Sequence, residues 1–170
     1  MSFASATFPS DPHRNNWRTE GESTLFAQIR KAGHFLRDLR VQMRFGELTR
    51  APLRLIRFQL AGDVVECDWM ARSLDPWDAD LSRRIQQQHA SLQTIRDAID
   101  VRALLFDTLP QVELANLQVF RETTDFAPEM IIAGCVQRND HSSREVHSIV
   151  MRAKVLGFRF RLEGESLRRI

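Results

Sequence analysis

The chain has 170 residues, of which 43% are hydrophobic and 27% are charged. These proportions are typical of a globular protein and exclude a collagen, an intrinsically disordered chain and a disulfide-rich scaffold. The 24 basic and 22 acidic residues give a net charge of +2, too small for a strong electrostatic drive toward nucleic acid or anionic lipid. The apolar runs are too short to cross a bilayer and no secretory signal opens the chain, so we expect a cytoplasmic protein.

The N-terminal stretch differs in pattern from the rest of the chain. Residues 1–18 combine Ser, Pro, Asn and Asp with isolated aromatic residues and have no hydrophobic period, which predicts a flexible arm. Residues 19–170 alternate apolar periodic segments with short turns, which predicts a single α+β domain. Cys67 and Cys135 form no C-x-x-C motif, so we expect two reduced thiols, no metal site and no cofactor.

A long amphipathic helix is predicted from Glu20 to Phe45. Thr19 and Glu22 have the spacing of a capping box, and Gly46 suits the position that follows a helix. Apolar residues recur at steps of three and four, as in a heptad seam that packs on a core or on a second copy. The expected interaction seam comprises Leu25, Ile29, Leu36, Leu39 and Met43, and its basic rim comprises Arg37, Arg40 and Arg44.

A β-hairpin is the clearest local prediction. Leu53–Leu60 and Val64–Arg72 flank the dipeptide Gly62-Asp63, which is typical of a two-residue turn. This turn puts six apolar residues on one face, in the pairs Leu60–Val65, Phe58–Cys67 and Ile56–Trp69. The other face pairs Gln59 with Glu66 and Arg57 with Asp68. A slip of one residue would mix the two faces, so the pattern fixes the register.

A second helix is predicted from Pro76 to about Asp107. Asp75 suits the N-cap position, Pro76 the first helical position, and Asp78 the positive end of the helix dipole. His89 lies on its apolar stripe, where we expect a histidine satisfied within the fold rather than a metal ligand. The stripe that we expect to be buried comprises Leu81, Ile85, Leu92, Ile95, Ile99 and Leu105.

The remaining elements complete an α+β pattern. Strands are predicted at Val112–Glu122 and Met130–Arg138, a helix at Ser143–Leu156 after a Ser142/Glu145 capping box, and a last strand at residues 158–163. The order is α-β-β-α-β-β-α-β. It predicts a ferredoxin-like (split βαβ) core with an N-terminal helix and an extra hairpin strand, in an antiparallel or mixed sheet.

The motifs of catalysis are missing from the sequence. There is no G-x-S-x-G motif, the cysteines lie inside predicted strands, and the seven glycines form no phosphate-binding loop. We therefore expect a non-enzymatic binding or assembly module. The seam of the first helix makes a homo-oligomer, most simply a dimer, the expected partner state, with an unidentified protein partner as a further option.

Two alternatives stay open. The first is a nucleic-acid or polyanion binder that uses the basic flank of the first helix. The anion-binding residues would be Arg30, Lys31, Arg57, Arg159 and Arg161, although few aromatic residues are available on the open sheet face for base stacking. The second is a metal-dependent hydrolase built on the acidic residues of the hairpin and the following loop, Glu66, Asp68, Asp75 and Asp78.

Overall fold

The structure is a computed structural model that describes residues 27, 29–38, 53–123, 127–139 and 146–170. Its elements in chain order are α1 (residues 29–38), β1 (Arg54–Ala61), β2 (Val64–Met70), α2 (Arg83–Thr108), β3 (Leu114–Glu122), β4 (Pro128–Gln137), α3 (Ile149–Val155), β5 (Phe158–Arg159), β6 (Arg161–Glu163) and β7 (Ser166–Arg168). The predicted N-terminal arm, both predicted capping boxes and the predicted ends of the first helix lie outside the described residues.

The main sheet has five strands in the order β1-β2-β3-β4-β5, and β6 pairs with β7 in a separate sheet of two strands. The β2–β3 pair is parallel and the other neighbours are antiparallel, so the α+β class and the mixed sheet are confirmed. The ferredoxin-like core is not confirmed. A split βαβ unit needs a strand between its two parallel strands, whereas β2 and β3 are direct neighbours joined by the crossover helix α2.

The β1–β2 hairpin has the predicted turn and most of the predicted register. Gly62 takes a φ of +63° in the turn, and the four predicted pairs nearest the turn are present. A β-bulge at Ile56 then shifts the register, so that Leu55 faces Trp69 and Ile56 is 51% exposed. The predicted Ile56–Trp69 pair is therefore wrong, because a bulge inserts one residue that the alternating pattern does not reveal.

One face of the main sheet carries the hydrophobic core. This face holds almost completely buried side chains from β2 and β3: Val65, Cys67, Trp69, Leu117 and Val119. Helix α1 covers its β1 end through Phe35, which is fully buried and stacks on Phe58 with ring centroids 5.0 Å apart. Phe35 is therefore a fully buried contact of α1 with this sheet, and Leu36 of the predicted seam is partly buried against the same core.

Helix α2 begins later than its sequence predicts. Asp75 does act as a cap, because the Trp77 backbone N–H donates to its Oδ1 at 3.1 Å, but it caps a single 3₁₀ turn at Pro76–Asp78. The α-helix itself starts at Arg83. Leu81 and Ile85, which the apolar stripe predicted as core residues, are consequently 36% and 39% exposed. Among the other members of the predicted stripe, Ile95 and Leu105 are fully buried, whereas Leu92 and Ile99 are partly buried.

The C-terminal end of α2 is closed by a distant arginine. The Arg138 guanidinium donates to the backbone carbonyls of Phe106 at 2.8 Å, Leu109 at 2.6 Å and Val112 at 2.8 Å. It also lies over the Phe106 ring, 5.1 Å from the ring centroid. A helix end leaves carbonyls without intrahelical partners. The planar side chain that follows β4 binds one of them, that of Phe106, together with the carbonyls of Leu109 and Val112 in the turn into β3.

The C-terminal part departs from prediction in two places. Helix α3 begins at Ile149, where the Ser148 hydroxyl accepts from the Met151 N–H, and residues 146–148 before it are not helical. Gly157 follows α3 with a φ of +92°, a left-handed conformation that favours glycine after a helix. The single predicted last strand is instead β5 followed by the β6–β7 hairpin, which contacts α2 through a hydrogen bond from Leu167 N–H to Ser91 Oγ at 3.0 Å.

Candidate functional site

The carboxyl ends of β2 and β3 open on a crevice. In sheets with parallel strands and crossover helices, ligands and partners bind preferentially outside the carboxyl ends of the strands. Here the chain leaves β2 into the loop of residues 71–82, which runs along the first turns of α2. Two concave regions lie side by side at this end, and they share residues 72–74 of the loop.

The larger region is a groove of about 1000 Å³, which we call the arginine groove. Its lining includes buried apolar side chains, among them Met70, Ile131 and Leu167. Charge is distributed unevenly over its walls. The lining contains one carboxylate, that of Glu122, against five arginines: Arg54, Arg72, Arg83, Arg121 and Arg168. Four of the five arginines are held in ion pairs with acids, so most of this basic charge is neutralised within the fold.

An exposed apolar cluster borders this groove. It comprises Leu74, Trp77, Leu81 and Ile85, with exposed fractions of 52%, 75%, 36% and 39%. Leu74 and Leu81 also line the groove itself, so the cluster and the groove are continuous. We call residues 74–81 the tryptophan loop. Large exposed apolar side chains grouped within twelve residues of chain mark an interaction surface more often than a structural accident.

Three contacts hold the tryptophan loop in place. The Arg72 Nε lies 2.8 Å from Asp97 Oδ2 of α2, with both side chains more than nine-tenths buried. Asp75 caps the 3₁₀ turn. The amide of Gln86 donates to the carbonyls of Asp78, Ala79 and Leu81 at 2.9–3.1 Å. Trp77 therefore protrudes from a loop that is fixed at both ends.

The smaller region is a cavity of about 350 Å³ on the other side of the loop. The ring of His89 lies at its wall, with Nδ1 3.2 Å from both oxygens of Asp78. The prediction that His89 is satisfied within the fold agrees with this contact. Asp75 and Asp78 are thus engaged by a backbone N–H and a histidine, and Asp80 is the exposed carboxylate of the loop that contacts no other described side chain.

Most arginines of the groove are paired with acids. The Arg54–Glu122, Arg121–Glu129 and Arg168–Glu163 pairs have N···O distances of 3.3, 2.6 and 2.8 Å. Arg72 pairs with Asp97, as described above. Arg83, at the start of α2, differs from these four. It forms no ion pair with any residue that the structure describes.

The predicted interaction seam is only partly within the described residues. Ile29 is 59% exposed and Leu36 is partly buried against the core. The Arg37 Nη2 lies 2.6 Å from His34 Nδ1, and its Nε lies 3.9 Å from Asp38. The other members of the predicted seam and rim fall outside the described residues: Leu25, Leu39, Met43, Arg40 and Arg44. The seam therefore stays a prediction, with Ile29 as its exposed apolar member.

The predicted anion-binding residues are spread over the molecule. Arg57 lies 3.0 Å from Glu66 and 2.8 Å from Asp68. The hydrogen bond that Arg57 donates to Asp68, together with the charge of Asp68, raises the pKa of Arg57. Arg159 lies in the same cross-strand row but on β5, four strand spacings or about 19 Å away. Lys31, on α1, donates to Gln111 at 3.3 Å. Arg30 is exposed on α1, and Arg161 is exposed on β6 outside the main sheet. These residues do not form one patch.

The predicted acidic site of a hydrolase is divided in the same way. Glu66 and Asp68 are paired with Arg57 on the polar face of the sheet, whereas Asp75 and Asp78 belong to the tryptophan loop. Within the described ranges, no three His, Cys, Asp or Glu side chains approach closely enough to hold a metal ion. The four acids are therefore two separate structural pairs.

One feature of the sequence pointed to the exposed apolar residues of the candidate site, but the sequence analysis assigned those residues to the core. Leu81 and Ile85 continue the apolar period of α2 although Ser82, Arg83 and Arg84 surround them, and the structure leaves both exposed. The groove gives no such sign, because its arginines come from five separate places in the chain: β1, the loop after β2, α2, β3 and β7.

No helix in the described part of the chain combines the length and the apolar character needed to cross a bilayer. Comparisons of the chain with known protein families, with curated proteins and with solved structures find no match.

Proposed function

We propose that this protein is a non-enzymatic assembly module that associates with further copies of itself through the tryptophan loop. The observation that carries the proposal is the apolar cluster, and Trp77 above all, which is 75% exposed. Tryptophan is enriched among the residues that dominate the free energy of protein interfaces, because its large ring loses much apolar surface to water on binding.

The cluster has the properties of a docking surface rather than of a poorly packed core. Its loop is held by a buried ion pair, an N-cap and three hydrogen bonds from Gln86, so the exposed side chains are presented in one arrangement. A surface ordered before binding loses little conformational entropy when it binds. The adjoining groove is lined in part by the exposed side chains of Leu74 and Leu81, which a second copy can contact.

Self-association is supported by the composition of the surface. A two-fold symmetric interface needs one patch that complements itself. The tryptophan loop brings exposed apolar side chains and Asp80, and the groove brings Arg83, and neither charge is in an ion pair with a described residue. An acidic and a basic group that can complement each other therefore lie close together on one chain.

Gel filtration with inline light scattering tests the proposal. We expect the full chain to exceed the 19.7 kDa mass of one copy at micromolar concentrations, and the Trp77→Ser variant to elute as one copy. Ile56→Ser, at a side chain 51% exposed on β1, is the matched control and should leave the mass unchanged. A wild-type chain that stays at the mass of one copy contradicts the proposal.

The same experiment separates the two surfaces considered for assembly. Ile29→Ser changes the exposed apolar residue of α1 and leaves the tryptophan loop intact. If Ile29→Ser dissociates the assembly and Trp77→Ser does not, then α1 forms the interface and the proposed surface is wrong. Circular dichroism spectra of all variants control for loss of folding.

A further inference from the structure

We propose that two copies dock reciprocally, with the tryptophan loop of each copy lying in the arginine groove of the other and with Asp80 of one copy paired to Arg83 of its partner. This inference rests on the proposed function and adds the occupant of the groove and the contact that sets the register. The juxtaposition that carries it is an acidic apolar loop beside a basic apolar groove on one chain.

The apolar part of the fit depends on exposed side chains at the wall of the groove. Leu74 and Leu81 of the tryptophan loop line a space of about 1000 Å³, and Trp77 is 75% exposed on the same loop. In the proposed dimer, a two-fold axis beside this loop brings Trp77 of one copy over Leu74 and Leu81 of the other. Each indole then leaves water and covers side chains that are 52% and 36% exposed in a single copy.

The charges select the same arrangement. Asp75 is engaged as a cap and Asp78 contacts His89, so Asp80 is the exposed carboxylate that the loop can offer. Among the arginines of the groove, Arg83 is the one that forms no ion pair with the described residues. Asp80 and Arg83 are three positions apart, so both can lie close to the same two-fold axis. Asp80 of each copy then faces Arg83 of the other copy, and one dimer contains two such ion pairs.

Charge reversal tests the pairing in a way that ordinary loss of folding cannot imitate. Asp80→Arg alone places two basic residues against each other in a homodimer, and Arg83→Asp alone places two acidic ones. We expect each single variant to raise the dissociation constant about tenfold or more. Mixed in equal amounts, the two variants should form a heterodimer, because Arg at position 80 then faces Asp at position 83 in one contact and the unchanged Asp80 faces the unchanged Arg83 in the other.

A double variant gives an independent outcome. Asp80→Arg combined with Arg83→Asp exchanges the two charges within one chain, so its homodimer should regain the affinity lost in the single variants. Arg84→Asp, next to Arg83 but not lining the groove, is the control and should change the dissociation constant little. Sedimentation velocity on each variant, on the mixture and on the wild type gives the masses.

The outcomes distinguish this inference from the proposed function. If the wild-type dimer depends on Trp77 but the mixture of single variants remains monomeric, the reciprocal pairing is wrong and the assembly through Trp77 stands. If the single variants dimerise as well as wild type, the pairing is equally wrong. A monomeric wild-type chain overturns both proposals.

Discussion

The Arg72 guanidinium and the Asp97 carboxylate form an ion pair of 2.8 Å whose side chains are only 7% and 2% exposed. Arg72 begins the loop that presents Trp77, and Asp97 lies in the middle of α2. Asp97 is held in turn by the amide of Gln93 at 2.8 Å. The pair therefore ties the candidate binding surface to the most buried helix of the fold.

We predict that Asp97→Asn lowers the free energy of unfolding by about 3–5 kcal/mol, because the variant removes the carboxylate charge that lies 2.8 Å from the buried Arg72 guanidinium. Glu163→Gln breaks the exposed Arg168–Glu163 pair, whose side chains are 51% and 63% exposed, and should change the same quantity by about 1 kcal/mol or less. Urea denaturation of both variants gives the comparison. Equal effects would show that the Arg72–Asp97 pair does not fix the loop.

Arg138 gives a second prediction about stability. Arg138→Ala removes donors from the carbonyls of Phe106, Leu109 and Val112, and charged hydrogen bonds of this kind contribute about 1.5–3 kcal/mol each. We expect a loss of at least that size in thermal denaturation. Arg138→Lys should recover little of it, because an ammonium group cannot reach three carbonyls from one plane.

The control for this prediction is Arg161→Ala. Arg161 is exposed and makes no ion pair with the described residues, so its loss should leave the melting temperature close to that of wild type. If Arg138→Ala behaves like Arg161→Ala, the end of α2 is held by other contacts.

Gly157 and Gly62 form a matched pair of positive-φ glycines. A Cβ at Gly157 would lie 2.8 Å from the Cys135 carbonyl oxygen, whereas a Cβ at Gly62 would meet nothing within 4 Å. Both alanine variants suffer the strain of a left-handed backbone, about 1–3 kcal/mol. We expect Gly157→Ala to destabilise the protein clearly more than Gly62→Ala in chemical denaturation, because only the first also displaces β4 from the end of α3. Equal losses would contradict this packing.

The two cysteines should differ in reactivity. Burial, with a smaller contribution from the charge of Asp68, raises the pKa of Cys67 to about 12, whereas Cys135 is exposed. A thiol reagent at mildly alkaline pH should therefore modify Cys135 in the folded protein and Cys67 only after denaturation, because the thiolate is the reactive form. Rapid modification of both thiols in the folded state would contradict the burial of Cys67.

The raised pKa of Cys67 also predicts a pH dependence of stability. The ordinary pKa of 9.0 describes the thiol of the unfolded chain, so above that pH the unfolded state binds fewer protons than the folded state. Stability should fall as pH rises from about 9 toward 12. Cys67→Ala should reduce the alkaline part of this loss relative to wild type in unfolding experiments at several pH values.

The local fold was more predictable than the surface that we assign to function. The Gly62-Asp63 turn fixed the hairpin because turn chemistry and apolar alternation agree over neighbouring residues. Asp75 gave the correct cap, but local chemistry did not show that the Gln86 amide would bind three loop carbonyls and delay α2 to Arg83.

Long-range features were beyond the sequence patterns. The direct parallel pairing of β2 with β3 depends on how α2 crosses the sheet, and no residue near either strand encodes that neighbour. Nothing in the sequence around Arg138 distinguishes it from other arginines that follow a strand, although its guanidinium binds carbonyls at the end of α2, about thirty residues earlier in the chain. The apolar period identified Leu81 and Ile85 as members of the stripe but could not show that the structure leaves both side chains exposed.

The most direct test of the account measures the accessibility of Trp77 as the protein associates. In a Trp17→Phe variant, iodide quenching reports mainly on Trp77, because Trp69 is 1% exposed and Trp77 is 75% exposed. We predict that the quenching constant falls as the protein concentration rises and that this fall follows the increase in mass measured in parallel. An increase in mass with unchanged quenching, or no increase in mass at all, would contradict assembly through the tryptophan loop.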